Sequence, residues 1–104
     1  MSISTHVLDA ARGRPAAGVP VRLERHDGAG WQPVADGRTD TDGRIAGWSA
    51  APGVLRLVFD TGTYLGPDAF YPEVAVTFRI AEAGQRCHVP LLLSPFAYST
   101  YRGS

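Results

Sequence analysis

Two histidines of this sequence lie in segments of alternating polarity, where a side chain can point toward a ligand. An imidazole has an unperturbed pKa of about 6.5, so His6 and His88 can each exchange a proton near neutral pH. That property suits a general acid or base, although a single surface histidine is usually only solvated. The third histidine, His26, lies in the polar turn "ERHDGAG" and is expected to be solvated.

One arginine follows a tight turn and could bind substrate oxygens. Arg44 comes directly after "TDTDG", whose Asp-Gly pair is typical of a hairpin. Asp40 and Asp42 also match the start of a calcium loop, but that loop needs glycine at its sixth place and glutamate at its twelfth. The sequence has Ile45 and Ala51 there, which excludes the calcium site. A structural hairpin with an exposed guanidinium and a substrate clamp both remain open for Arg44.

The common templates for other chemistries are missing. The sequence has no Gly-x-Ser-x-Gly elbow, no phosphate-binding loop and no His-Glu-x-x-His pair. Its single cysteine, Cys87, excludes an intrachain disulfide and a zinc site of several cysteines. We therefore expect no metal site, and the candidate chemistry is that of histidine and arginine.

Charge and composition narrow the class of partner. Ten Lys or Arg residues balance ten Asp or Glu residues, so we expect no nucleic acid and no membrane as partner. All ten cations are arginine, through either a coding bias or a preference for planar, oxygen-rich ligands. The 104 residues suit one domain, residues 1–104. The first residues lack the pattern of a signal peptide, so we expect a cytoplasmic protein.

The elements that must position these side chains are β-strands. Clusters of Gly, Pro and Asp recur at short intervals, and alternating segments such as residues 19–24 and 74–80 lie between them. Seven or eight strands at this spacing predict an all-β sandwich of two antiparallel sheets. We expect at most one short helix, near residues 62–69, because Pro67 limits its extension.

The alternation also predicts which side chains share a face. His6 should lie on the face of Ser4, and His88 on the face of Arg86. Residues 89–93 are apolar on both faces of their strand. A strand of a small sandwich needs only one apolar face, the face that packs against the core. We therefore expect a symmetric oligomer that buries the second face.

Five segments, in order along the chain, resemble the transthyretin-like family. They are "STHVLD", "TDTDGR", "LVFDTGTY", "FYPEV" and the C-terminal "HVPLLLSPFAYSTYRGS". Within this family the sequence resembles the enzyme branch, the 5-hydroxyisourate hydrolases. The hormone-carrier branch lacks the Tyr-Arg-Gly-Ser ending and has a lysine at the place of His6.

The resemblance implies a fold, an assembly and an activity. The fold is a sandwich of two four-stranded sheets, assembled as a homotetramer, a dimer of dimers, with sites in the channel between the dimers. The activity is hydrolysis of 5-hydroxyisourate to 2-oxo-4-hydroxy-4-carboxy-5-ureidoimidazoline in urate catabolism, without metal or cofactor. The alternative is a non-catalytic small-molecule carrier or interaction module with the same fold.

The resemblance also implies the site residues. The implied catalytic residues are His6, Arg44 and His88. The implied substrate-binding residues are His6, Arg44, Tyr101 and Ser104, of which Ser104 would offer a free carboxylate. Ring opening by water needs a base for the water proton and donors for the oxyanion, for which we favour His88 and Arg44 respectively. The sequence leaves open which histidine is the base.

One residue departs from the family pattern. Many members carry a second histidine two positions before the one at position 88, where this sequence has Arg86. If the Arg86 guanidinium approaches His88 closely, its charge should lower the pKa of that imidazole.

Overall fold

The computed structural model describes residues 2–103, and within that range the chain forms ten strands and one short helix. The elements are β1 (Ser2–Asp9), β2 (Arg14–Pro15), β3 (Pro20–His26), β4 (Trp31–Arg38), β5 (Arg44–Trp48), β6 (Gly53–Phe59), α1 (Thr61–Leu65), β7 (Val74–Ile80), β8 (Arg86–His88), β9 (Leu91–Ser94) and β10 (Ala97–Thr100).

The first sheet is built around β1, which pairs with four other strands. On one side β1 pairs with β5 and then with β2, and on the other side with β8 and then with β9. Strand β10 pairs with β9 at the edge of the sheet. Six segments thus occupy four positions across this sheet. The pairing of β1 with β8 and β9 is parallel, the exception to the antiparallel pattern predicted from the sequence.

The second sheet has the order β4-β3-β6-β7 and is antiparallel throughout. The two sheets enclose one hydrophobic core, to which alternate residues of each strand contribute. Its fully buried members include Ile3, Val7, Leu23, Leu55, Leu57, Phe59 and Leu91. Burial of these side chains is the main stabilising contribution. The predicted all-β sandwich is confirmed.

The short helix is also confirmed, in the chain segment between β6 and β7. Helix α1 begins after Asp60, whose carboxylate accepts hydrogen bonds from the backbone N–H and the hydroxyl of Thr63. It ends at Leu65, just before Gly66 and Pro67, because proline cannot continue a helix. Among residues 2–103, no helix is long and apolar enough to cross a membrane.

The hairpin predicted around "TDTDG" is wrong. The turn is tight, since the Gly43 N–H donates to the Asp40 carbonyl at 2.9 Å. The flanking strands do not pair with each other, however: β4 pairs with β3 in one sheet and β5 with β1 in the other. The residue types of a turn favour chain reversal but do not determine which sheet receives the next strand. This turn carries the chain between the two layers.

Candidate active site

Three strands of the first sheet bring His6, Arg44 and His88 to one open cleft. His6 of β1 lies opposite Arg44 of β5, and Ser4 of β1 lies opposite His88 of β8. Because alternate residues of a strand share a face, all four side chains belong to the same face of the sheet. The cleft has a volume of about 390 Å³, and we call it the polar groove. Its lining is Ser2, Ser4, His6, Arg44, Ala46, Gly47, Arg86, Cys87 and His88.

The imidazole of His6 is oriented by the turn before β5. Its Nε2 lies 2.8 Å from the backbone carbonyl oxygen of Asp42. A carbonyl can only accept a hydrogen bond, so His6 Nε2 carries a proton and donates it. In the neutral ring the lone pair of His6 is therefore on Nδ1.

The turn of residues 40–44 is held by its own backbone and by one carboxylate. Asp40 Oδ1 accepts hydrogen bonds from the backbone N–H groups of Asp42 and Arg44, each at 2.9 Å. Gly43 has a φ of +77°, and a Cβ at this position would lie 2.4 Å from the carbonyl oxygen of Val7. Only glycine fits such a close approach of two backbones. These contacts fix where Arg44 enters the sheet.

His88 is held on two sides. Its Nδ1 lies 2.8 Å from the hydroxyl oxygen of Ser4. On another side the tail of the chain packs against the ring: the Gly103 N–H donates to the His88 carbonyl at 2.8 Å, and a Cβ at Gly103 would lie 2.5 Å from His88 Cδ2. Since Nδ1 is occupied by Ser4, Nε2 is the ring nitrogen left for a ligand.

The surroundings of His88 favour its neutral form. Burial lowers the pKa of this imidazole, and the nearby charges of His6 and Arg44 lower it further, while a hydrogen bond with the backbone of Ser4 acts in the opposite direction. A lowered pKa leaves the ring unprotonated, and so basic, at neutral pH. The lowering that the sequence led us to expect from a close approach of Arg86 is not confirmed, because Arg86 is not among the groups that lower this pKa.

The predicted tail residues are placed differently from the histidines. Tyr101 is 58% exposed and lines a second cleft, of about 350 Å³, together with Phe78, Cys87 and Arg102. Within one chain it is therefore apart from the polar groove. The predicted contact residue Ser104 lies outside the described residues 2–103.

Three structural features of the site were not anticipated from the sequence. The Ser4 hydroxyl and the Gly103 backbone contact His88, and the Asp42 carbonyl contacts His6. The alternation along β1 does put Ser4 on the face of His6, which is the signal that could have drawn attention to it. Within the described range, no group of three or more His, Cys, Asp or Glu side chains is arranged to hold a metal ion.

Comparison with known proteins gives both a family and relatives. Residues 3–103 match the family model described as HIUase/Transthyretin family. The chain is 49% identical over 109 residues to a 5-hydroxyisourate hydrolase of Salmonella typhimurium, an alignment that covers 98% of this chain and 80% of the relative. It is 44% identical over 111 residues to the 5-hydroxyisourate hydrolase of Mus musculus, covering 98% and 94% of the two chains.

A solved structure agrees with these relatives. The structure of Klebsiella pneumoniae 5-hydroxyisourate hydrolase superimposes with a TM-score of 0.86 at 37% identity, covering 99% of this chain and 98% of that one. The family match spans nearly all the described residues, and the relatives are aligned over nearly the whole chain. The chain therefore belongs to the HIUase/transthyretin family.

Proposed function

We propose that the protein hydrolyses 5-hydroxyisourate to 2-oxo-4-hydroxy-4-carboxy-5-ureidoimidazoline in urate catabolism. The observation that carries this proposal is the convergence of His6, Arg44 and His88 on the polar groove. The groove combines a basic imidazole with a guanidinium, the two groups that water-driven opening of a cyclic amide requires. Relatives named 5-hydroxyisourate hydrolase support the same activity.

In the proposed mechanism, His88 Nε2 takes a proton from water as the water oxygen attacks a ring carbonyl carbon. The carbonyl oxygen becomes an oxyanion, which the Arg44 guanidinium stabilises through its paired N–H donors. The C–N bond then breaks, and the departing nitrogen receives the proton held by His88. The water oxygen ends in a carboxyl group, so the reaction consumes one water and needs no other reactant.

His6 has a different part in this mechanism. Its Nε2 donates to the Asp42 carbonyl, so its free nitrogen, Nδ1, is available to accept a hydrogen bond from the water or the substrate. Its pairing with Arg44 across the two strands keeps both groups at one end of the groove. We assign it to orientation of the reactants.

The tail is proposed to contribute substrate contacts. The Gly103 N–H donates to the His88 carbonyl and its backbone packs on the His88 ring, and this contact supports a role for the tail, with Ser104, in substrate binding. Tyr101 offers a ring and a hydroxyl, but in one chain it faces the second cleft. For Tyr101 to reach substrate, that substrate has to lie between subunits, as in the channel that the resemblance implies.

The assembly is proposed to be a homotetramer, a dimer of dimers, of one domain each, residues 1–104. Two observations support burial of further surface. Strands β7 and β10 are edge strands of their sheets, and edge strands readily pair with another chain. Large apolar side chains near β10 are also exposed, with Phe70 at 64%, Phe96 at 78% and Tyr98 at 42%.

A carrier function with the same fold is the competing class. Fold alone cannot distinguish the two, because the crystal structure of transthyretin from Sparus aurata superimposes with a TM-score of 0.89 at 32% identity, covering 97% of this chain and 95% of that one. The polar groove distinguishes them, since a carrier has no need of a basic imidazole with a lowered pKa beside a guanidinium.

The proposed function is tested by decay of its substrate. We would generate 5-hydroxyisourate with urate oxidase and follow the loss of its ultraviolet absorbance with and without the protein. We expect decay much faster than the spontaneous reaction, unchanged after treatment with a chelator. The control is His88→Ala, which should lose about 10²- to 10⁴-fold in rate, as is usual when a general base is removed.

Two results would contradict the proposal. Decay no faster than the blank, from a folded and assembled protein, would favour the carrier. Full activity in folded His88→Ala would remove His88 from the mechanism even if the protein is a hydrolase.

A further inference from the structure

We propose that Ser4 is a positioning residue for His88: its hydroxyl accepts a hydrogen bond from Nδ1–H and thereby makes Nε2 the basic atom that faces substrate. This inference rests on the proposed function, because it assigns a means by which the general base of that reaction is held. It concerns a residue whose side chain does not have to touch the substrate.

The first support is the geometry of the contact. Ser4 Oγ and His88 Nδ1 are 2.8 Å apart, within the usual range of a good hydrogen bond. The two residues are direct partners in the parallel pairing of β1 and β8, and the Val89 N–H donates to the Ser4 carbonyl at 3.0 Å. The hydroxyl is thus presented by a backbone that is itself hydrogen-bonded beside His88.

The second support is the tautomer that the chemistry requires. A neutral imidazole carries one proton, on Nδ1 or on Nε2. If Nε2 is to take a proton from water, Nδ1 has to carry the ring proton and needs an acceptor. The Ser4 hydroxyl can be that acceptor, in the way that an acceptor on the second nitrogen sets the tautomer of other functional histidines.

The third support is that the opposite edge of the ring is also fixed. Turning the ring by 180° about Cβ–Cγ would exchange the places of Nδ1 and Cδ2. In the observed orientation Cδ2 faces the backbone of Gly103, so closely that a Cβ there would lie 2.5 Å away, while Nδ1 faces Ser4. A polar atom meets the hydroxyl and a carbon meets the glycine. Ser4 and Gly103 together therefore select one of the two ring orientations.

The test compares Ser4→Ala with Ser4→Thr, which keeps the hydroxyl, and with Ser49→Ala, an exposed loop residue outside the groove. The first readout is the nitrogen-15 chemical shift of the His88 ring in the assembled protein, which reports the tautomer without any turnover. We expect the Nδ1–H form in wild type, Ser4→Thr and Ser49→Ala, and a mixture of the two forms in Ser4→Ala.

The second readout is steady-state kinetics with 5-hydroxyisourate. We expect Ser4→Ala to lower kcat about tenfold with KM within about twofold of wild type, the size of effect of one hydrogen bond. Ser4→Thr should retain most of kcat, which a purely steric role would not predict.

The outcomes separate this inference from the function on which it rests. An Nε2–H tautomer in wild type, or an unchanged tautomer in folded Ser4→Ala, would overturn the role of Ser4 even if the protein is a hydrolase. A protein without hydrolase activity whose His88 tautomer still depends on the Ser4 hydroxyl would contradict the proposed function and support Ser4 as the group that orients the ring.

Discussion

The two histidines of the polar groove differ in the kind of atom that each one meets. His6 faces a backbone carbonyl, which can only accept, so the protonation of its Nε2 is fixed. His88 faces a hydroxyl, which can accept or donate, and has a lowered pKa. With Ser4 on Nδ1, the atom of His88 left to gain and lose a proton is Nε2, and in His6 the corresponding free atom is Nδ1. The type of partner therefore does not distinguish the two rings, and our proposal that His88 is the base rests on its lowered pKa.

The charge of Arg44 should shift the pH at which His88 becomes protonated. Burial is the largest cause of the lowered pKa of His88 and the charge of Arg44 adds to it, so Arg44→Gln should raise this pKa part of the way toward its ordinary value. The base form would then be lost at a higher pH as the solution is acidified, and the acid limb of the rate profile should move up in pH. Titration of the His88 ring by proton NMR measures the pKa directly, even in a slow variant.

The matched variant for this titration is Arg86→Gln. It removes the same charge from the lining of the same groove, but Arg86 is not among the groups that lower the pKa of His88. We expect no shift in the His88 pKa. Equal shifts in the two variants would mean that the overall positive charge of the groove, and not Arg44 in particular, controls the base.

At the scale of elements, the site depends on what lies on either side of β1. Strand β5 brings Arg44 to one side and β8 brings His88 to the other, so β1 is the common reference for the three groups. Alternation within one strand predicts the face of a side chain but not the neighbouring strand. The pairing of β1 with β8 is parallel and joins residues 84 positions apart, and no turn sequence indicates it. The sequence pattern therefore predicted the sandwich and the faces, while the grouping of the site came from family resemblance.

The turn that delivers Arg44 should be intolerant of any side chain at Gly43. Gly43→Ala adds a Cβ 2.4 Å from the Val7 carbonyl oxygen at a φ of +77°, so both a clash and backbone strain result. We expect a loss of about 3 kcal/mol or more in the free energy of unfolding, measured by urea denaturation. Activity should fall as well, because Arg44 is the next residue.

Gly18→Ala is the control for this experiment. Gly18 has nearly the same φ, +76°, but nothing lies within 4 Å of an added Cβ. Gly18→Ala should lower the free energy of unfolding only by the strain of the left-handed conformation, about 1–2 kcal/mol. If the two variants were equally stable, the close contact of Gly43 with Val7 would have no energetic importance, and the turn would be held by Asp40 alone.

At the scale of the whole molecule, one chain leaves apolar surface that folding has not buried. The aromatic side chains of Phe70, Tyr71, Phe96 and Tyr98 lie next to one another, with ring centroids 4.8–6.2 Å apart, and we call them the aromatic patch. It adjoins the edge strand β10, whose residues are all exposed in the single chain. An exposed apolar patch beside an open sheet edge is the usual mark of a subunit contact.

Burial of the aromatic patch between subunits predicts the behaviour of Phe96→Asp. Phe96 is 78% exposed in the chain, so the substitution should leave the fold intact, but in an interface it would bury a charge. By light scattering after size exclusion, we expect wild type to have the mass of four 11.1-kDa chains and Phe96→Asp to form smaller species. Val34→Asp, an exposed apolar residue of β4 in the other sheet, should remain tetrameric. A wild-type protein that is monomeric and fully active at micromolar concentration would show that the polar groove works within one chain. Because Tyr101 faces the second cleft, it would then have no part in substrate binding.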